Sequence, residues 1–292
     1  RQRQMCIRDR FFFMGDNVYG DNTETGELDD MKVAYALQKE RLPRWLNNIN
    51  VNAIWDDHDY GKNDGGEEYV FKTQSQTLFL DFWGVPENDP RRSRKGIYFS
   101  QIRDINNLKV NLIGLDTRYH RSALGQEDKP YSAIEDVSKT MLGKTQWDWL
   151  INELNKKNDV NIIVSSIQVI PTAHGFEKWG NFPHERSKLL NLIENSNTPT
   201  IIISGDRHKA GLYKKGNLIE LTSSSLNKPL PNYISKIWDL ISKETDTYLI
   251  DDMFYPENYG TLSINDEGEV SIELKDLDGM TVSSTKLKIR GN

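Results

Sequence analysis

The spacing of apolar positions changes along this 292-residue chain. Over roughly the first 210 residues, short unbroken apolar runs alternate with stretches of helical spacing. Beyond them the spacing drops to two. The run Phe11–Met14 ends at Gly15-Asp16 and reads as a buried strand stopped by a turn. Residues 28–48 predict a helix with Leu28, Met31, Ala34 and Tyr35 on one face, a break at Pro43 and a short turn over Arg44–Asn48. Val51–Trp55 predicts a second strand, and Phe71–Phe82 a second helix stopped by Gly84 and Pro86. Ile97–Arg103 and Leu108–Leu115 predict two more strands, followed by an irregular segment over 119–140. Helices follow at Lys144–Lys156 and Glu185–Glu194, with strands at Val160–Ser165 and Thr200–Ile203. Period-two spacing then marks Leu218–Leu221, Thr261–Asn265, Val270–Leu274 and Thr281–Ile289, with Asp266-Glu267-Gly268 as a hairpin turn. The pattern is that of one α/β domain over residues 11–292, with a β-rich, antiparallel part from about residue 211. Trp45, Trp83, Trp147 and Trp149 fall at helical spacing and are expected in its core.

Composition narrows this picture. Lys and Arg number 37 against 43 Asp and Glu, a formal net charge of −6, which argues against nucleic acid as the main partner. Seven Trp and twelve Tyr are too many for a disordered chain. No apolar run approaches the roughly 18 residues a transmembrane segment needs. The single Cys6 forms no intramolecular disulfide. It lies in Arg1–Arg10, a tail with four arginines, no period and no signal-peptide core, which reads as a flexible end or as foreign to the fold. The basic loop Asp89–Lys95 is expected at the surface, where Arg91, Arg92, Arg94 and Lys95 can attract anions.

Three segments share one design, an apolar strand running into a loop of Asp and His. They are FFFMGDNVYGD at 11–21, AIWDDHD at 53–59 and IIISGDRH at 201–208. In an open α/β sheet, ligands bind at the carboxyl ends of strands, so the three loops can meet there. They would bring together Asp16, Tyr19, Asp21, Asp57, His58, Asp59, Asp206 and His208. Such oxygen and imidazole donors suit iron(III), manganese, zinc, magnesium or calcium. Each motif alone is no more than a turn or a solvated loop; the repetition at three strand ends is the signal.

These motifs resemble those of the calcineurin-like metallophosphoesterases, and within them the PhoD-like alkaline phosphatase and phospholipase D family. Gly15-Asp16, Asp56-Asp57-His58-Asp59 and Gly205-Asp206-Arg207-His208 stand where the superfamily has Gly-Asp, Gly-Asn-His-Asp/Glu and Gly-His-x-His. Leu115-Asp116-Thr117-Arg118, Ser165-Ser166-Ile167-Gln168 and the stretch from Glu177 to Arg186 also look like that branch. The resemblance spans residues 11 to about 265. It implies a four-layer α-β-β-α sandwich of two mixed sheets and the hydrolysis of a small phosphoester by metal-activated water. A phosphomonoesterase is the first expectation, a phosphodiesterase or phospholipase D-like activity the second, and an inactive fragment that keeps the fold the third. It implies Asp16, Tyr19, Asp57, Asp206 and His208 as ligands of iron(III) with calcium, manganese or zinc. His58 would be the catalytic imidazole, oriented by Asp59, and Arg118 or Arg207 would grip phosphate oxygens. Asp21, Gln168, Trp179 and His184 are further candidates. The resemblance also carries an expectation of a monomer that is periplasmic or secreted.

The match departs from the family in two places. The first superfamily motif, with its strand and metal ligand, belongs upstream of Gly15-Asp16 and has no counterpart here, since Cys6 follows no strand. Gly211 stands where the family often has Glu. The resemblance therefore implies a phosphatase lacking its first strand or strands, binding metal poorly and turning over slowly.

Overall fold

The computed structural model describes residues 10–21, 28–126, 129–226, 228 and 246–289. Cys6 and the rest of the tail before Arg10 lie outside them. Strand β1 (Arg10–Met14) pairs in parallel with β2 (Asn50–Ile54), joined through helix α1 (Asp29–Arg41) and a 3-10 turn over Arg44–Asn48. The one-turn helix α2 (Asp57–Tyr60) follows β2 directly, and α3 (Lys72–Phe82) comes next. Pro43 is extended, which is why the α-helix and the 3-10 turn separate there.

A six-stranded mixed sheet is the frame of the molecule. Its order is β3 (Phe99–Ile105), β4 (Leu108–Gly114), β5 (Val160–Ser165), β6 (Thr200–Ser204), β8 (Leu218–Ser223) and β7 (Ala210–Lys215). The four inner strands run parallel and the two edge strands antiparallel. Helices α4 (Gly143–Leu154) and α5 (Pro183–Asn195) lie in the connections from β4 to β5 and from β5 to β6. Strands buried on both faces need continuous apolar runs, and Val160–Ser165 is buried at every position. The hairpin from β9 (Asn258–Ile264) to β10 (Glu269–Asp276) and then β11 (Thr281–Lys288) form a third, antiparallel sheet. Gly268 closes that hairpin at φ 76°, a conformation that favours glycine.

Alternation along each inner strand sorts side chains into two cores. Ile113, Ile163 and Ile202 face α4 and α5, with Trp147, Trp179, Phe182 and Leu189. Leu112, Ile162, Val164 and Leu221 face the other way, into a core shared with β1, β2, α1, α3 and Ile272 of β10. Each fully buried aliphatic side chain contributes about 1.5–3 kcal/mol.

One strand was not anticipated and one expectation is corrected. Strand β7 does not show in the sequence, because Ala-Gly-Leu-Tyr-Lys-Lys has no strict alternation and four of its six residues are buried. Trp45 is not a core residue: it is 47% exposed, with Phe11 against its ring.

Candidate metal centre

The centre is assembled where β1, β2 and β6 end. Because β1 and β2 are parallel and in register, the loops after Met14 and Ile54 leave side by side. They approach so closely that a Cβ on Gly15 would stand 2.5 Å from the Cβ of Asp56. The loop after β6 joins them, with the Gly205 amide donating to the Ser166 carbonyl at 3.0 Å. Asp16, Asp206 and His208 all adopt positive φ, at 50°, 69° and 51°. Non-glycine residues held there store strain and cluster at functional sites.

Two overlapping donor sets result. Asp16, Asp57 and His58 have ligand atoms within 4.8 Å of one another, and so do Asp16, Asp56, Asp57 and Asp206. Asp16 and Asp57 belong to both. Tyr19 donates its hydroxyl to Asp16 Oδ2 at 3.1 Å, and its ring lies 4.3 Å from that of His58. Burial and then the charge of Asp57 hold the Asp16 carboxyl well above its usual range. Burial and then Asp57 likewise push Asp206 up to about 7. Burial also pushes Asp57 up, but Arg118, His58 and the Asp64 amide outweigh it and leave the group at about 2. Four carboxylates packed out of water with so little compensation fit a di- or trivalent cation, which supplies the missing charge.

The imidazole of His58 is oriented by a different partner from the one expected. It donates Nδ1–H to Asp21 Oδ1 at 2.7 Å. Asp59 faces the other way and accepts from the backbone amides of Asp56 at 2.5 Å and Asp16 at 3.2 Å, and from the side chain of Asn17. Asp56 and Asp59 cap α2 reciprocally, so Asp59 is committed to the loop backbone. Burial lowers the pKa of His58, but the Asp21 bond and the charges of Asp57 and Asp21 more than restore it.

Arg118 is not available to a phosphate. Its guanidinium is fully buried, ion-paired to Asp56 and, through Nη1 at 2.5 Å, to Glu177. Glu177 also receives Arg121 Nε at 2.9 Å. Burial disfavours the charge on Arg118, but Asp56 and Glu177 outweigh it and keep the group ionised. Ser166 donates to Asp56 Oδ1 at 2.6 Å. Arg207 is buried with its guanidinium over the Phe176 ring at 4.5 Å.

The remaining candidates spread outward. His208 belongs to neither donor set; its Nδ1 donates to the Lys228 carbonyl at 2.6 Å, and burial lowers its pKa. Gln168 is buried and donates to Thr222 Oγ1 at 2.8 Å. Trp179 is a fully buried core residue, donating to Ser165 Oγ at 3.0 Å with its ring against Trp147. His184 donates to the Lys139 carbonyl at 2.7 Å from the first turn of α5. Asp56, Glu177, Ser166 and Lys228, whose ammonium lies over the Tyr19 ring at 3.7 Å, went unassigned in the sequence. Asp56 carried a signal there as the first of two adjacent acids at a strand end, and Ser166 and Glu177 lay in segments that resembled the family without a role attached.

The chain was compared by sequence and by fold with known proteins. The PhoD-like phosphatase family profile matches residues 87–276. Among solved structures, GAP50, described as the anchor in the inner membrane complex of Plasmodium, superposes with a TM-score of 0.57. It is 13% identical, and the alignment covers 97% of this chain and 89% of that one, so the likeness is one of fold. A conserved uncharacterized protein of Streptococcus pneumoniae, described as a predicted phosphoesterase, aligns at 7% identity and a TM-score of 0.27 over 77% of this chain and 92% of its own. No curated protein sequence matches.

Proposed function

This chain belongs to the PhoD-like phosphatase family, and from that premise we propose that it hydrolyses phosphomonoesters at the carboxylate cluster built on Asp16 and Asp57. The observation that carries the proposal is the convergence of Asp16, Asp56, Asp57 and Asp206 with the Asp21-oriented His58 at one strand-end crevice. Asp16, Asp57 and Asp206, with Tyr19 beside Asp16, would hold the cations, while Asp56 stands behind them on Arg118. His208 stands beside this set. Iron(III) suits the phenol end and calcium, manganese or zinc the carboxylate end. Cations held there would supply the Lewis acidity for attack by water on a phosphoryl group.

The protein's own groups divide the remaining work. His58, held by Asp21, keeps Nε2 available to pass a proton to the leaving oxygen. The Asp21 bond and the charges of Asp57 and Asp21 favour the protonated imidazole against the burial that opposes it. Arg118 neutralises Asp56 from behind and leaves the other carboxylates to the cations. Asp59 fixes the loop that presents both Asp16 and Asp57. At the level of architecture, the two cores on either side of the six-stranded sheet support a four-layer α-β-β-α sandwich made by one domain.

The test uses p-nitrophenyl phosphate and bis-p-nitrophenyl phosphate, with iron, calcium, manganese or zinc added to metal-stripped protein. Turnover of the monoester that disappears in Asp16→Asn supports the reading. Preferential turnover of the diester moves it to a phosphodiesterase. No turnover of either with any of the four metals overturns it.

A further inference from the structure

The cations around the carboxylate cluster differ in what holds their charge. Arg118 and Arg121 close on Glu177, and Arg118 also on Asp56. Lys62 pairs with Glu68 at 3.1 Å and Lys129 with Asp64 at 3.0 Å. Arg207 is buried against the Phe176 ring. Lys228 is held in another way. It is exposed, its ammonium lies 3.7 Å from the centre of the Tyr19 ring, and no acid among the described residues pairs with it. Tyr19 in turn donates to Asp16 Oδ2 at 3.1 Å, with its ring 4.3 Å from that of His58. The Lys228 carbonyl accepts from His208 Nδ1 at 2.6 Å, which ties residue 228 to the loop after β6. Burial and the acids Asp21 and Asp57 act most on His58, and the Lys228 charge comes next. On His208 that charge follows burial and the bond to the Lys228 carbonyl. The ammonium therefore stands at the rim of the centre, near both imidazoles.

We propose that Lys228 binds an oxygen of the substrate's phosphoryl group and thereby selects phosphomonoesters over diesters. The inference rests on reading the centre as a phosphoesterase site. An aromatic face attracts an ammonium but carries no net charge, so Tyr19 places the Lys228 charge without neutralising it. Contacts running outward from Asp16, through the Tyr19 hydroxyl and then its ring, end at that charge. Exposure leaves the ammonium open to a ligand arriving from solvent. His58, which serves the leaving oxygen, lies against the same ring, so one aromatic side chain positions both proton donor and clamp. Lys228 thus does what the buried Arg118 cannot.

Charge selects the ester class. A phosphomonoester loses its second proton at about pH 6 and is a dianion above neutrality, whereas a diester carries a single negative charge. A dianion entering a crevice built on Asp16, Asp57 and Asp206 gains more from an unneutralised ammonium than a monoanion does. A lysine also suits the task sterically, as a point charge with three donors on a flexible stem that can follow the phosphoryl oxygens through transfer.

The test titrates inorganic phosphate by calorimetry into the full chain with its metals bound, for the parent, Lys228→Met and Lys228→Arg. Lys228→Met is expected to weaken phosphate binding about tenfold or more. It should raise KM for p-nitrophenyl phosphate by a similar factor and KM for bis-p-nitrophenyl phosphate by less. Added salt should weaken phosphate binding more steeply in the parent than in Lys228→Met. Lys228→Arg should keep most of the affinity, because a guanidinium also carries its charge over an aromatic face. Equal phosphate affinity in parent and Lys228→Met would overturn the proposal, as would no phosphate binding to the parent or an arginine variant as weak as the methionine one. Equal effects on the two esters would overturn the selection of monoesters. A parent that binds phosphate through Lys228 but hydrolyses neither ester would remove the phosphoesterase reading and leave Lys228 as an anion-binding residue. Should Lys228→Met misfold, the ε-methylene resonance of Lys228 in the parent decides: a shift on adding phosphate supports the contact, and none overturns it.

Discussion

Asp21 and Asp59 are both carboxylates near His58, and the difference between them is one of direction. Asp21 reaches the imidazole, while Asp59 accepts the amides that hold its own loop. Asp21→Asn should therefore reduce kcat about 10–100-fold with little change in KM, the size of effect seen when a group orienting a functional histidine is lost. Asp59→Asn should act first on stability, since Asn17 then faces an amide in place of a carboxylate. Denaturant melts of the two variants separate them: a normal melt for Asp21→Asn, and a lowered midpoint for Asp59→Asn. Arg118 is read the same way. Its fully buried guanidinium holds together Asp56 and Glu177, and removing it strands two buried acids. Arg118→Met should cost about 3–5 kcal/mol of folding stability, measured by chemical denaturation. A variant that folded normally and lost only affinity for phosphoester would return Arg118 to substrate binding.

At the scale of elements, the site depends on parallel strands ending at the same level and on connections that hold them there. Glu185 in the first turn of α5 shows how one side chain ties two connections. Its Oε2 accepts from Thr140 Oγ1, the Met141 amide and Trp147 Nε1, each at 2.7 Å, so the approach to α4 and the start of α5 move together. Glu185→Ala leaves those buried donors without an acceptor and should destabilise the protein by on the order of 3 kcal/mol. Urea unfolding measures this, and a loss under about 1 kcal/mol would mean that water replaces the carboxylate. This level is also where the sequence was most readable. Phe11–Met14, Val51–Trp55 and Thr200–Ile203 announce themselves as apolar runs that stop at acids, and all three end at the centre. The pairing of Asp21 with His58 across 37 residues left no periodic trace, because it depends on the path of a loop. Nor could Glu177 be separated from other exposed-looking acids before Arg118 and Arg121 were seen to close around it. Helix α2, at four residues, is too short for any period to show.

For the whole molecule, stability, metal binding and pH are linked through the same buried charges. Four carboxylates confined together oppose folding until cations arrive, so added metal should raise the melting temperature. At about 100 times the dissociation constant, the gain is about 2.7 kcal/mol. Asp16→Asn should melt higher than the parent without metal, because one raised acid is gone, and should respond less to metal. Equal responses in differential scanning calorimetry would remove Asp16 from the cation site. The acid side is governed elsewhere. His174 is buried, and burial followed by the charges of Arg207, Lys178 and Lys209 holds its pKa far below the ordinary 6.5. The unfolded chain protonates this histidine near pH 6.5 while the folded chain does not. Its contribution is thus fully present above that pH and is lost as the solution is acidified. Each unit below 6.5 should cost up to about 1.4 kcal/mol. In His174→Gln that slope is gone, so the stability difference between parent and variant should be flat above pH 6.5 and shift steadily in the variant's favour below it. Parallel stability curves from pH 8 to pH 5 would show that His174 takes up its proton in the folded state after all.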